Sequence, residues 1–80
     1  MRTFQHTVSA RAGNGYNINV VFSDGSGGVF DFSPYLIHPC YAPLRERAFF
    51  EQVVASHGTL SWPGDIDISP EAVWEDTIKE

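Results

Sequence analysis

The stretch that decides the fold of this chain contains the apolar run Val20-Val21-Phe22, the turn Ser23-Asp24-Gly25 and the apolar run Val29-Phe30, in that order. An Asp-Gly pair between two apolar runs is a strong hairpin signal, because glycine adopts positive φ without steric penalty and aspartate tolerates it better than most residues. The stretch from residue 18 to residue 36 therefore predicts a β-hairpin. The Ser33-Pro34 pair that follows predicts a short helical turn capped by the serine, with proline at its first position.

Further strands are predicted on both sides of this hairpin. Residues 3–12 read as a first strand, and residues 16–22 as a second strand with alternating apolar side chains. Residues 59–62 and 66–68 read as two short strands around the turn Pro63-Gly64-Asp65. The predicted apolar face of the first strand consists of Phe4, His6, Val8 and Ala10.

Two helices complete the prediction. Residues 46–55 carry an apolar stripe at helical spacing, and His57-Gly58 is expected to end that helix with a left-handed glycine cap. Residues 70–78 are predicted to form the last helix, with Ser69 as its N-cap. The His38-Pro39 and Ala42-Pro43 pairs are expected to stop the earlier turn. We expect a single small α+β domain over residues 1–80, with an antiparallel sheet of four to five strands and two helices packed on one face.

The ordered motifs of this chain resemble the small bacterial domain family DUF2442. The motifs are residues 22–26, 29–34, 43–45 with 49–53, and 60–70, so the resemblance covers most of the chain. It implies a small α+β domain of unknown function, sometimes followed by a helix-turn-helix, whose gene often lies beside that of another small family in a toxin–antitoxin-like pair. It brings no catalytic residues. The chain departs from the family pattern in the glycine-rich residues 26–28, and it ends where fused members would begin their DNA-binding part.

Charge and composition narrow the expected partners. Ten acidic residues against five basic ones give a formal net charge of −5, and the scattered basic residues form no stripe for a row of phosphates. We therefore expect no autonomous nucleic-acid binding. No apolar run reaches the ~20 residues that span a membrane, and no secretion signal is evident, so we expect no membrane association and a cytoplasmic location. The single cysteine, Cys40, agrees with a reducing compartment.

The acidic residues concentrate near the C-terminus, beside two tryptophans. This placement predicts a surface for a basic protein, in which acids surround an exposed aromatic ring. The family resemblance implies that this partner is encoded nearby. Trp62 is the expected exposed ring because it stands beside Pro63-Gly64. Homo-oligomerisation is left open. The candidate partner-binding residues are Trp62, Asp65, Asp67, Glu71, Trp74 and Glu75.

Catalysis and metal binding are not expected. His38 and Cys40 lack the further ligands that zinc requires, and a calcium loop would need more oxygen ligands than Asp65 and Asp67 provide. We therefore expect no enzyme activity, no metal and no cofactor. Two alternatives stay open. One is a small-ligand or cation-binding domain, or a minimal enzyme, that uses Asp65 and Asp67 with a neighbouring histidine. The other is a DNA-binding accessory subunit.

Overall fold

The computed structural model describes residues 5–79. Within them, two α-helices and two 3₁₀ helices accompany two antiparallel sheets, a four-stranded one in the order β1-β2-β3-β7 and a three-stranded one in the order β4-β5-β6. The strands are β1 (Thr7–Ala12), β2 (Asn17–Phe22), β3 (Gly27–Asp31), β4 (Val54–Ser56), β5 (Thr59–Trp62), β6 (Ile66–Asp67) and β7 (Ile78–Lys79). The helices are α1 (Arg47–Phe50), α2 (Pro70–Asp76) and the 3₁₀ helices Ser33–Ile37 and Pro39–Arg45. The α+β class is confirmed, but the strands divide between two sheets where one was predicted.

The hairpin predicted from the Asp-Gly turn is confirmed. Strands β2 and β3 pair antiparallel, with Ile18 opposite Phe30. Gly25 has φ of 89°, the left-handed conformation that glycine adopts most easily. The carboxylate of Asp24 accepts a hydrogen bond from the backbone N–H of Ser26 at 2.9 Å. This bond closes the turn locally, so the aspartate contributes through its side chain.

Strand β1 differs from its predicted alternation. Thr7 lies opposite Phe22 and Ser9 lies opposite Val21, which leaves Val8 as an extra residue at a register irregularity. Such an irregularity shifts the two-residue alternation of the strand. As a result Thr7 is buried while Val8 and His6 are exposed, and the predicted apolar face is wrong at those two positions. Phe4 lies outside the described residues.

The helix predicted over residues 46–55 is wrong beyond its first turn. Helix α1 ends at Phe50, and Val54 begins strand β4, which pairs with β5 through Ser56 and Thr59. His57 and Gly58 both have positive φ, 54° and 80°, as the two central residues of a type I′ hairpin turn require. Gly58 is therefore a hairpin glycine and not a helix cap. The β-branched pair Val53-Val54 fits the strand better than the helix.

The predicted caps and stops also need correction. Ser33 does not cap the 3₁₀ helix; instead the carboxylate of Asp31 accepts the backbone N–H of Ser33 at 3.0 Å. Pro43 lies inside the second 3₁₀ helix and does not stop it. Ser69 occupies the N-cap position of α2 without a side-chain capping bond. That helix ends at Asp76 because the chain turns extended at Thr77 and then pairs with β3.

One hydrophobic core lies between the two sheets and under α2. The sheets meet where the backbone N–H of Thr7 donates to the carbonyl of Gly58 at 2.9 Å. Helix α2 contributes Val73 to the core and contacts both sheets. The buried apolar residues are Ile18, Val20, Phe22, Phe30, Phe32, Leu44, Phe50, Val53, Leu60, Trp62, Ile68 and Val73.

Candidate protein-interaction surface

Trp62 lies in the core, so the prediction that it exposes its ring to a partner is wrong. Only 3% of the residue is exposed, and its indole N–H donates to the carbonyl of Phe50 at 2.9 Å. Its ring lies 5.2 Å from that of Phe32 and 6.2 Å from that of Phe50, measured between centroids. The strand alternation of β5 turns Trp62 inward together with Leu60. Its role is to support the surface from below.

The acidic residues of the candidate set are exposed. We call residues 65–76 the acidic segment. Asp65 lies in the turn before β6 with φ of 61°, and Asp67 lies on β6 itself. Glu71 and Glu75 stand one helical turn apart on α2, which places them on the same side of the helix. Trp74 is half-buried, with its ring edge-on to Phe22 at 4.8 Å.

An exposed apolar segment lies beside these acids. We call residues 33–45 the 3₁₀ ridge, because both 3₁₀ helices belong to it. Ile37 is 77% exposed, and Pro39, Cys40 and Ala42 are also exposed. Proline recurs along the ridge and prevents a long regular helix, so the segment cannot turn one continuous apolar face inward. The ridge therefore presents apolar groups to solvent.

Two tyrosines attach the 3₁₀ ridge to the acidic segment. The hydroxyl of Tyr35 donates to the carboxylate of Asp76 at the end of α2. The hydroxyl of Tyr41 donates to the backbone carbonyl of Asp67 at 3.1 Å. Both rings pack on Phe32, Tyr35 stacked at 5.4 Å and Tyr41 edge-on at 5.1 Å. These two hydrogen bonds join the ridge to the acidic segment beside the buried ring of Phe32.

The protonation of these tyrosines favours the attachment at physiological pH. Burial, reinforced by the hydrogen bond and the charge of Asp76, raises the pKa of Tyr35 to about 12. Burial also raises the pKa of Tyr41, with smaller contributions from Cys40 and Asp67. A phenol with a raised pKa keeps its proton, so both hydroxyls remain donors well above neutral pH.

Two of the candidate acids, Asp65 and Asp67, also line a groove. His57, Asp65 and Asp67 line one groove of about 390 Å³ at the turns of the three-stranded sheet. The structure therefore brings a histidine to the two aspartates that the sequence singled out. Among residues 5–79, however, no three histidine, cysteine or acidic side chains are grouped so that they could hold a metal ion. His38 and Cys40 are both exposed on the 3₁₀ ridge.

Ile37 was not predicted as part of the surface, and the wrong aromatic residue was predicted to be exposed. The expected exposed ring was Trp62, whereas Trp62 is buried and Tyr35 and Tyr41 are half-buried at the surface. The position of Ile37 between Pro34 and Pro39 was the available signal, because residues in such a segment cannot all reach the core.

Architecture and surface together define a small antiparallel α+β domain with an exposed, acid-bordered apolar segment. The chain belongs to the family DUF2442, described as a protein of unknown function, whose family model matches residues 7–79. No curated protein and no solved structure matches the chain. No helix within residues 5–79 has the length and apolar character needed to cross a membrane.

Proposed function

We propose that this domain is a non-catalytic protein-binding module that acts as a regulatory, antitoxin-like partner. It recognises a protein segment that carries both basic and apolar side chains. The observation that supports this proposal is the attachment of the exposed 3₁₀ ridge to the acidic segment by Tyr35 and Tyr41.

The two parts of this surface have different tasks. A partner side chain that covers Ile37 removes apolar surface from water, at roughly 25 cal/mol per Å². The exposed acids of residues 65–76 attract a basic partner and mainly accelerate its encounter. Affinity should therefore depend on the ridge, and association rate on the acids.

Co-expression with the product of the neighbouring gene, followed by calorimetry on the purified pair, tests this proposal. Ile37→Ser should weaken binding by about tenfold or more, because it removes the most exposed apolar side chain of the ridge. Val54→Ser is the matched control, since Val54 is also exposed but lies on β4. Equal affinities for the wild type and Ile37→Ser would contradict the proposal.

A second candidate function is small-ligand or cation binding in the groove that His57, Asp65 and Asp67 line. Backbone NMR titration with Mg²⁺ and with Ca²⁺ tests it directly. Shifts confined to residues 56–67 that disappear in the double variant Asp65→Asn with Asp67→Asn would favour this function. Hydrolase activity lost in the same double variant would favour a minimal enzyme.

A further inference from the structure

The outward face of the four-stranded sheet carries apolar side chains that no described element covers. Phe22 and Phe30 point into the core, so the residues next to them on the same strands, Val21 and Val29, point outward. Val21 is 41% exposed and Ile78 is 72% exposed, and Ile78 lies directly opposite the half-buried Val29. An antiparallel sheet with one wet face usually carries polar residues there. We call this surface the outer sheet face.

Charge distinguishes the outer sheet face from the rest of the molecule. Arg11 and Asp31 are exposed on it, one of each sign, on β1 and β3. Most of its other polar groups are uncharged, and they include Ser9, Asn17 and Asn19. The acidic segment lies on β6, on α2 and in the turn before β6, outside the four-stranded sheet. A second copy of this acidic chain can approach the outer sheet face without meeting the acidic segment.

The strand registers place two complementary pairs on this face with the same spacing. Arg11 on β1 is level with Asn19 on β2, which is level with Val29 on β3. Asp31 is two residues farther along β3, so Arg11 and Asp31 are separated by two strands and two residues. Val21 and Ile78 are separated by the same two strands and two residues. With about 4.8 Å between strands and about 3.4 Å per residue, each separation is roughly 12 Å in the same direction.

We propose that two copies of this chain associate through their outer sheet faces about a two-fold axis. In an idealised flat sheet, we draw a line from the midpoint between Arg11 and Asp31 to the midpoint between Val21 and Ile78. This line is perpendicular to the separation within each pair, and it is the two-fold axis. Rotation about it brings Arg11 of each copy onto Asp31 of the other, and Val21 of each onto Ile78 of the other. Such an interface is isologous, as closed dimers require.

Two further properties follow from this axis. Val29 lies about 2 Å from it, so Val29 from both copies packs at the centre of the interface. The strands of the two copies cross at about 70°, closer to the orthogonal class of sheet packing than to the aligned class.

The face measures roughly 20 Å by 20 Å, which is smaller than a standard interface of about 800 Å² per partner. The dimer should therefore be weak and should dissociate on dilution.

Sedimentation velocity over a concentration series tests the association. The mass should rise from 8.9 kDa towards twice that value between about 10 μM and about 1 mM. A monomer throughout this range would overturn the proposal.

Complementary charge variants test the pairing itself. Arg11→Asp places two acids opposite each other in the dimer, and Asp31→Arg places two arginines opposite each other, so each variant alone should associate about tenfold more weakly. Their equimolar mixture should recover association, because both contacts of the mixed dimer are again Arg–Asp pairs. A mixture of folded variants that associates no better than either one alone would overturn the proposed axis.

The mixing experiment also controls for folding. Asp31→Arg removes the carboxylate that holds Ser33, but the same loss is present before and after mixing. Val21→Lys should abolish association because it places a cation against the apolar Ile78 of the other copy, whereas Val54→Lys on β4 should leave it unchanged. Loss of the dimer in the β4 variant alone would place the interface on the other sheet.

Discussion

The molecule has two exposed apolar surfaces that are built differently. The 3₁₀ ridge is irregular backbone held to an acidic segment by two tyrosine hydroxyls. The outer sheet face is regular backbone with one cation, one anion and a group of β-branched side chains. Ile37 dominates the first surface and Ile78 the second, and they have similar exposures of 77% and 72%. Apolar exposure alone therefore does not distinguish the two surfaces.

The charges around each surface make the difference. Acids beside the 3₁₀ ridge repel a second copy of this chain and attract a basic protein. The outer sheet face carries one arginine and one aspartate, so each charge can pair with the opposite charge of a second copy. We propose that the surrounding charge directs a foreign partner to one surface and a second copy of this chain to the other.

The largest effect should come from removing the core support that both surfaces share. Trp62→Ala deletes a buried indole and removes its hydrogen bond to the carbonyl of Phe50, which keeps only the backbone N–H of Val53. We expect a loss of about 3–5 kcal/mol in the free energy of unfolding, as for other large-to-small core changes. Urea unfolding measures it, with Trp74→Ala as the half-buried control. A loss below about 1 kcal/mol would show that Trp62 does not support the core.

The next largest effect should separate the two surfaces. Ile37→Ser should weaken binding of the foreign partner by about tenfold and leave self-association unchanged, and Val21→Lys should do the reverse. Calorimetry and sedimentation on the same two variants provide the comparison, and each variant serves as the control for the other. If either substitution weakens both associations equally, the two surfaces are one.

The sequence predicts the four-stranded sheet better than the three-stranded one. In the β2–β3 hairpin, local turn chemistry and two-residue alternation agree, so Gly25 and the apolar runs predict the same structure. In residues 46–58 they conflict. Phe49, Phe50 and Val53 fit helical spacing, yet the hairpin turn at His57-Gly58 pairs Val54 with Ser61, and tertiary pairing overrides the pattern.

The sequence predicted which acidic residues of the candidate surface are exposed, but not which aromatic residues are. Acidic residues in turns and on helix surfaces are exposed in almost any fold, so Asp65, Asp67 and Glu71 could be placed from the sequence. A tryptophan in a short strand has two possible faces, and only the register of β5 decides that Trp62 points inward. The attachment of Tyr35 to Asp76 joins distant residues, so no local pattern could reveal it.

Salt should distinguish the surfaces by their kinetics. Raising ionic strength from about 10 mM to about 150 mM shortens the Debye length from about 30 Å to about 8 Å. Association with the basic partner should slow several-fold, because exposed acids accelerate that encounter. Self-association should change less, since each copy contributes one charge of each sign. Stopped-flow mixing measures the first and sedimentation the second. A stronger salt effect on self-association than on partner binding would contradict the assignment.

The smallest effect concerns the attachment of the 3₁₀ ridge through Tyr35. Tyr35→Phe should lower the free energy of unfolding by about 1 kcal/mol or less at pH 7, because it removes one partly exposed hydrogen bond. The pKa of Tyr35 is raised from 10.0 to about 12 in the folded chain, so its contribution is complete below pH 10 and is lost as the pH rises towards 12. The stability difference between wild type and Tyr35→Phe should therefore be constant up to pH 10 and then shrink. Urea unfolding of both proteins between pH 7 and pH 12 measures it, and a difference that grows with pH would contradict the raised pKa of Tyr35.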